Sequence, residues 1–216
     1  MPTAAVKICG ISTPAALEAA IRGRAAYAGF VFFASSPRHV TPAQAAPLAE
    51  RAAGRIERVG LFVDAADAEI ADAVGAAVLD VLQLHGQESP ERAAQLRARF
   101  GLPVWKALPV ASAADVERAR AYAGAADLVL FDARTPKGTL PGGMGLSFDW
   151  NLVAHWKGPL AWGLAGGLNA DNVAQAARQT GAPLVDTSSG VESAPGVKDE
   201  GKIAAFCAAV RSDGAG

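Results

Sequence analysis

The stretch Val6-Lys7-Ile8-Cys9-Gly10 is a short apolar run that ends in a thiol and a glycine. It contains two β-branched residues and is too short for a helix that buries a face, so it predicts a buried strand that carries Lys7 and Cys9 to its carboxyl end. Strand parity points both side chains to the same side. Two interpretations of Cys9 stay open: a functional thiol where the strand becomes a loop, or a small buried hydrophobe, the common fate of a free cysteine.

Apolar runs of this kind recur along the chain and alternate with segments rich in Ala, Leu and Arg. The spacing between successive runs is 22 to 33 residues, about one strand and one helix. Such alternation is typical of a parallel sheet. Eight units favour a closed (β/α)8 TIM barrel over an open doubly wound sheet, which the count alone leaves possible. The predicted strands begin near Ala4, Tyr27, Glu57, Leu79, Leu102, Asp127, Leu160 and Pro183.

Length and composition indicate one globular domain over residues 1–216, with a last helix over 201–211 and a frayed tail from 212. Hydrophobic residues make up 51% of the chain and charged residues 19%, which excludes disorder. The net charge of −1 argues against nucleic-acid or anionic-membrane partners. No signal peptide or membrane span is recognised. The two cysteines have no metal-type spacing and suit a cytoplasmic protein.

A barrel should collect its functional residues in the loops that follow the strands. Asp132 directly follows the apolar sixth strand, where it is either a catalytic acid or a turn or cap residue. The sixteen residues 133–148 after it are rich in glycine, which predicts a closing lid or a phosphate-cradling loop. Asp149-Trp150 should then open a short helix. Lys106 is expected at the end of the fifth strand.

Three other side chains are candidates for the mouth of the barrel. Arg38, before a helix that Thr41-Pro42 should begin, either holds a substrate carboxylate or is a solvated surface arginine. Gln83 and His85 alternate on one side of the fourth strand. His85 is either a general base or a hydrogen-bonded wall residue.

The turns after the seventh and eighth strands are built from small residues, Ala165-Gly166-Gly167 and Ser188-Ser189-Gly190. Such turns let backbone N–H groups approach an anion closely, and the second turn can start a short extra helix. Phosphate binding at these two loops recurs in the TIM barrel. Two ordinary tight turns are the alternative. Asp186 would repel a phosphate, so we expect it to contact a sugar hydroxyl or a backbone donor.

These motifs together resemble the phosphoribosylanthranilate isomerase family of tryptophan biosynthesis, in order and over nearly the whole chain. The motifs are Lys7-Ile8-Cys9-Gly10-Ile11, Gly29-Phe30-Val31-Phe32, Ser36-Pro37-Arg38, Gln83-Leu84-His85-Gly86, Phe131-Asp132, Gly142-Gly143-Met144-Gly145 with Phe148-Asp149-Trp150, Ala165-Gly166-Gly167-Leu168-Asn169 and Asp186-Thr187-Ser188-Ser189-Gly190-Val191-Glu192. The sequence before the double glycine, residues 135–141, varies from the family pattern, so the resemblance does not define the conformation of the lid.

The resemblance implies an Amadori rearrangement of a phosphorylated aminoaldose to a ketose, with no metal or cofactor. It implies that Cys9 is the general base, Asp132 the general acid and Arg38 the group that binds the anthranilate carboxylate. Phosphate-binding residues are then Ala165, Gly166, Gly167, Ser188, Ser189 and Gly190. Further substrate-binding residues are Lys7, Gln83, His85, Gly142, Gly143, Gly145 and Asp186.

The residues leave two other classes of function open. One is another phosphosugar isomerase, aldolase or synthase on the same barrel, which would keep the phosphate site but would not need Cys9, Arg38 and Asp132 together. The other is a non-catalytic protein that binds a phosphorylated metabolite, against which the acid–base pair on two strands argues. The expected assembly is a monomer or a homodimer.

Overall fold

The computed structural model describes residues 4–133, 147–154 and 156–212. Eight parallel strands pair in chain order and close into a barrel, with β1 hydrogen-bonded to both β2 and β8. The closed barrel predicted from the sequence is confirmed, and the open sheet is excluded. The strands are β1 Ala5–Cys9, β2 Tyr27–Val31, β3 Glu57–Phe62, β4 Val81–Leu84, β5 Val104–Val110, β6 Leu128–Ala133, β7 Ala161–Leu164 and β8 Leu184–Thr187.

Helices alternate with these strands. They are α1 Pro14–Arg22, α2 Pro42–Ala52, α3 Asp67–Ala77, α4 Pro90–Phe100, α5 Ala113–Glu117, α6 Val173–Thr180 and α7 Glu200–Ser212. Short 3-10 helices span Arg118–Tyr122, Trp150–Leu152 and Ser189–Val191. None of the helices in the described ranges is long and apolar enough to cross a membrane.

Local sequence explains where several helices start. Thr13, Thr41 and Ser89 each accept a hydrogen bond from a backbone N–H of the first turn, and a proline follows each of them. The hydroxyl oxygen pairs one backbone N–H of the first turn that has no partner within the helix, and the proline has no N–H that would need one. The predicted start at Thr41-Pro42 is confirmed, as is a short helical turn opened by Asp149, whose carboxylate accepts from the Asn151 N–H.

Strand parity sorts the side chains between the interior of the barrel and the layer beneath the helices. Trp105 and Ala107 pack inside with residues from four other strands. The prediction that Lys106 ends the fifth strand is wrong. The strand continues to Val110, and Lys106 points outward because both of its neighbours point inward.

The last barrel loop carries additional structure. After the 3-10 turn at Ser189–Val191, the strands β9 Glu192–Ala194 and β10 Val197–Lys198 form a small antiparallel hairpin. Gly196, at its turn, packs against the carbonyl of Pro37 so closely that no Cβ would fit. The hairpin is therefore held against the loop that follows β2.

Candidate active site

The carboxyl ends of the strands surround an open cavity. Eleven of the predicted site residues line it: Cys9, Arg38, Gln83, His85, Asp132, Ala165, Gly166, Gly167, Asp186, Ser188 and Ser189. Lys7 and Gly190 do not line the cavity and lie behind its wall. The predicted substrate contacts of Gly142, Gly143 and Gly145, and the predicted lid, fall outside the described residues.

Cys9 is the last residue of β1 and is only 5% exposed. A Cβ at Gly29 on the neighbouring strand would lie 3.0 Å from Cys9 Sγ and 3.2 Å from Lys7 Nζ, so this glycine makes room for both groups. Burial raises the pKa of the Cys9 thiol, because desolvation outweighs the lowering effect of the nearby ammonium of Lys7. The site therefore favours the neutral thiol.

Lys7 is fully buried, and its Nζ donates to Asp186 Oδ1 at 3.0 Å. The expectation that Asp186 contacts a sugar hydroxyl or a backbone donor stays a prediction, and Asp186 does line the cavity. The register aligns Lys7 with Asp186 on adjacent strands, and both side chains point inward. Burial alone would lower the pKa of Lys7, but Asp186 and Cys9 raise it above its ordinary value. Burial also raises the pKa of Asp186, despite the nearby ammonium of Lys7.

Asp132 lies on β6, and its carboxylate contacts a backbone N–H and a ring nitrogen of His85. The N–H of Ala133 donates to Oδ1 at 2.8 Å, and His85 Nε2 lies 3.2 Å from Oδ2. Gln83 Nε2 lies 3.4 Å from His85 Nδ1, which agrees with the predicted shared side of the fourth strand. The contact between His85 and Asp132 joins two strands that are distant in sequence, and local sequence patterns did not predict it.

Arg38 is buried, so the alternative of a solvated surface arginine is wrong. Its Nε and Nη2 donate to the two carboxylate oxygens of Glu192, each at 2.7 Å. Lys198 Nζ also donates to Glu192, at 2.8 Å, and to the carbonyl of Ser188 at 2.9 Å. Burial alone would raise the pKa of Glu192, but Arg38 and Lys198 hold it below its ordinary value.

Sequence reasoning missed the roles of Glu192 and Lys198, which sit on the hairpin of the last loop. The dipeptide Pro195-Gly196 is a turn signal that would have predicted this hairpin. No local signal shows that Glu192 reaches Arg38, since the two residues are 154 positions apart in the sequence.

The turns after β7 and β8 meet beside the thiol. Gly166 and Gly167 have φ of 87° and 66°, which favour glycine. Ser188 Oγ donates to the carbonyl of Cys9 at 3.1 Å, which ties the second turn to the end of β1. Gly190 packs against the carbonyl of Leu168 too closely for any Cβ, so it joins the two turns rather than facing the cavity.

A model of the family described as N-(5′-phosphoribosyl)anthranilate (PRA) isomerase matches residues 6–209. The chain belongs to this family. The N-(5′-phosphoribosyl)anthranilate isomerase of Mesorhizobium japonicum is 52% identical over 208 residues, which cover 96% of this chain and 95% of that protein. The family resemblance inferred from the motifs is thus confirmed.

Solved structures of N-(5′-phosphoribosyl)anthranilate isomerases superimpose along the whole barrel. The phosphoribosyl anthranilate isomerase of Thermotoga maritima gives a TM-score of 0.87 at 33% identity, covering 97% of this chain and 99% of that one. A family member in complex with reduced 1-(o-carboxyphenylamino)-1-deoxyribulose 5-phosphate gives 0.84 at 31% identity, with the same coverage. That ligand is a phosphorylated small molecule.

Proposed function

We propose that this chain catalyses the Amadori rearrangement of N-(5-phosphoribosyl)anthranilate to 1-(2-carboxyphenylamino)-1-deoxy-D-ribulose 5-phosphate in tryptophan biosynthesis. Family membership supports the assignment. The observation that carries it is the arrangement of one cavity, in which the Cys9 thiol, the Asp132 carboxylate, Arg38 and two small-residue turns come together. The reaction needs a general base, a general acid and one binding group for each charged end of the substrate, and this cavity contains candidates for all four.

The first chemical step is opening of the furanose ring. Asp132 donates a proton to the ring oxygen, and the anthranilate nitrogen takes up the positive charge as an iminium. Asp132 accepts from the N–H of Ala133 and faces His85 Nε2, so these two contacts hold the acid in position. His85 then acts beside Asp132 and not as an independent base.

The second step removes the proton from C2, which the adjacent iminium acidifies. The Cys9 thiolate takes this proton. The resulting enolamine then gains a proton at C1 from the Cys9 thiol and loses the proton of its C2 hydroxyl to the Asp132 carboxylate, which forms the ketone and restores both catalytic groups. The rearrangement is redox-neutral, and the nitrogen of the substrate serves as the electron sink, so the proposed chemistry needs no metal or redox cofactor. Because burial raises the pKa of the Cys9 thiol, the reactive thiolate is a minority form that the ammonium of Lys7 stabilises.

Two charged ends fix the substrate across the cavity. We assign the phosphate to the turns at Ala165–Gly167 and Ser188–Ser189, with the buried cation of Lys198 behind Ser188 as a source of positive potential. We assign the anthranilate carboxylate to Arg38, whose guanidinium Glu192 holds in place through two hydrogen bonds. Gln83, whose Oε1 is buried without a hydrogen-bond partner among the described residues, is suited to accept from a substrate hydroxyl.

We also propose that the chain acts as one domain in the cytoplasm, as a monomer or a homodimer. The pairing of β1 with β8, which joins both ends of the chain, supports the single domain. The two free, buried cysteines support a reducing compartment.

The test is turnover of freshly prepared N-(5-phosphoribosyl)anthranilate, whose fluorescence disappears as it reacts. We expect catalysed loss of fluorescence that exceeds spontaneous decay and scales with enzyme concentration. Turnover of another phosphosugar but not of this compound would assign the barrel to a different isomerase, aldolase or synthase. Binding without turnover would indicate a metabolite-binding protein.

A further inference from the structure

A buried ion pair lies on the outer side of the barrel wall and takes no part in the proposed reaction. Lys106 Nζ and Glu88 Oε2 are 2.9 Å apart, and their side chains are only 2% and 4% exposed. Taking two charges out of water is costly, and an apolar pair of similar volume often serves stability as well. The position of this pair therefore calls for a reason other than packing.

The ion pair binds the two peptide groups on either side of His85. Lys106 donates to the carbonyl of Leu84 at 3.3 Å, which belongs to the peptide that enters His85. Glu88 Oε2 accepts from the N–H of Gly86 at 2.9 Å, which belongs to the peptide that leaves His85. Lys106 also donates to the carbonyl of Gly86 at 2.7 Å. Three hydrogen bonds from the ion pair thus hold the backbone on both sides of His85, a residue of the cavity wall.

The same carboxylate ties this segment to the neighbouring loop. Glu88 Oε1 accepts from the N–H of Asp64 at 2.8 Å, and Asp64 Oδ1 accepts from the N–H of Gln87 at 2.6 Å. On the far side, the hydroxyl of Tyr122 donates to the carbonyl of Glu88 at 2.7 Å. The segment from His85 to Glu88 is therefore anchored from three directions, while the ring of His85 faces the cavity.

We propose that Lys106 and Glu88 are positioning residues: they hold the backbone of His85 so that its Nε2 stays at hydrogen-bonding distance from Asp132, the proposed acid. The inference rests on the proposed function for its kinetic consequence. Its structural part, the fixed position of the His85 ring, stands apart from the identity of the substrate. Glu88 and Lys106 do not line the cavity, so they act through His85.

The first test observes the ring directly. The chain has three histidines, so ring nitrogen and carbon-bound proton resonances are few, and His85→Asn identifies the His85 signals. We expect Glu88→Gln, which keeps the shape of the side chain, to shift the His85 signals and to leave the other rings unchanged. Asp80→Asn is the matched control, because Asp80 also binds a backbone N–H and a cation, those of Arg58, at the opposite end of the barrel. This variant should leave His85 unmoved.

The second test is a double-mutant cycle on turnover of N-(5-phosphoribosyl)anthranilate. Lys106→Met and Glu88→Gln should each lower kcat by about 10- to 100-fold, as misplacement of a catalytic group by less than 1 Å can do, and should leave KM nearly unchanged. In the His85→Asn background the same changes should lower kcat by less than about threefold, because the residue through which they act is gone.

Equal losses of kcat in the wild-type and His85→Asn backgrounds would overturn the proposal and show that the Lys106–Glu88 pair has only a structural role. His85 signals that do not shift in Glu88→Gln would overturn it as well. The wild-type protein offers a check that needs no folded variant. The amide hydrogens of Gly86 and Asp64 should exchange slowly, and fast exchange of both would equally overturn the proposal. If the protein does not turn over the compound at all, the proposed function fails while the resonance and exchange measurements still decide this proposal.

Discussion

Gly166 gives the sharpest prediction about the acid, because its missing side chain leaves space for Asp132. A Cβ there would lie 2.5 Å from the backbone nitrogen of Ala133 and 3.0 Å from Asp132 Oδ1. The first distance is about 0.9 Å shorter than an ordinary contact of 3.4 Å. The same nitrogen donates to Asp132 Oδ1, so Gly166→Ala must displace the hydrogen bond that orients the acid.

The magnitude follows from this displacement. A shift of about 1 Å in a catalytic group can cost about 10²-fold in rate, so we expect Gly166→Ala to lower kcat by that order. The backbone contributes separately, since φ at Gly166 is 87° and an alanine held there is strained by about 1–3 kcal/mol. Each kcal/mol lowers the melting temperature by about 2–4 °C in a domain of this size.

The assay combines thermal unfolding with fluorescence kinetics, and Gly181→Ala is the control. Gly181 has a φ of 70°, but a Cβ there meets nothing within 4 Å, so the control carries the strain without the contact. We expect the control to lose stability and keep its kcat. A kcat for Gly166→Ala within twofold of wild type, in a folded protein, would refute the assigned position of Asp132 as the acid.

Three further predictions concern binding and pH. Arg38→Met should raise KM by about 10- to 150-fold, because it loses a charge-assisted pair with the substrate carboxylate that is worth about 1.5–3 kcal/mol. The control Arg58→Met removes an ion pair at the opposite end of the barrel and should lower stability only. An unchanged KM for Arg38→Met would show that Arg38 is not part of the site. Gly167→Asp should abolish thermal protection by millimolar phosphate or a substrate analogue, and protection that persists would place the anion elsewhere. Because burial raises the pKa of Cys9, the pH profile of kcat/KM should rise at pH values above the ordinary pKa range of a thiol. This rise should vanish in Cys9→Ser. An unaltered rise in that variant would assign the titration to another group.

Local sequence patterns predicted the barrel well because strands and their ends depend on nearby residues. Every strand begins within two residues of its predicted start, and α7 differs by one residue at each end. Parity alone predicted that Gln83 and His85 share a side, and their side chains are in fact 3.4 Å apart. The same rule pointed Lys7 and Cys9 to one side, where they do interact.

Contacts between distant strands could not be predicted in this way. Whether Arg38 reaches Glu192, or His85 reaches Asp132, depends on barrel closure and loop path, which no local pattern encodes. Lys106 was misplaced for a different reason. The fifth strand continues past Lys106 to Val110, and the side chain of Lys106 points outward to the buried carboxylate of Glu88.

The central claim is that the thiol and the carboxylate of one cavity are base and acid. The most direct measurement is therefore kcat for N-(5-phosphoribosyl)anthranilate in Cys9→Ala and in Asp132→Asn, alongside thermal unfolding of both. Each variant should unfold cooperatively and lose about 10²–10⁴-fold in kcat, the usual contribution of a general acid or base. A packing role for the thiol or a capping role for the carboxylate predicts little change in rate, since asparagine caps about as well as aspartate. Wild-type turnover in both variants would contradict the mechanism.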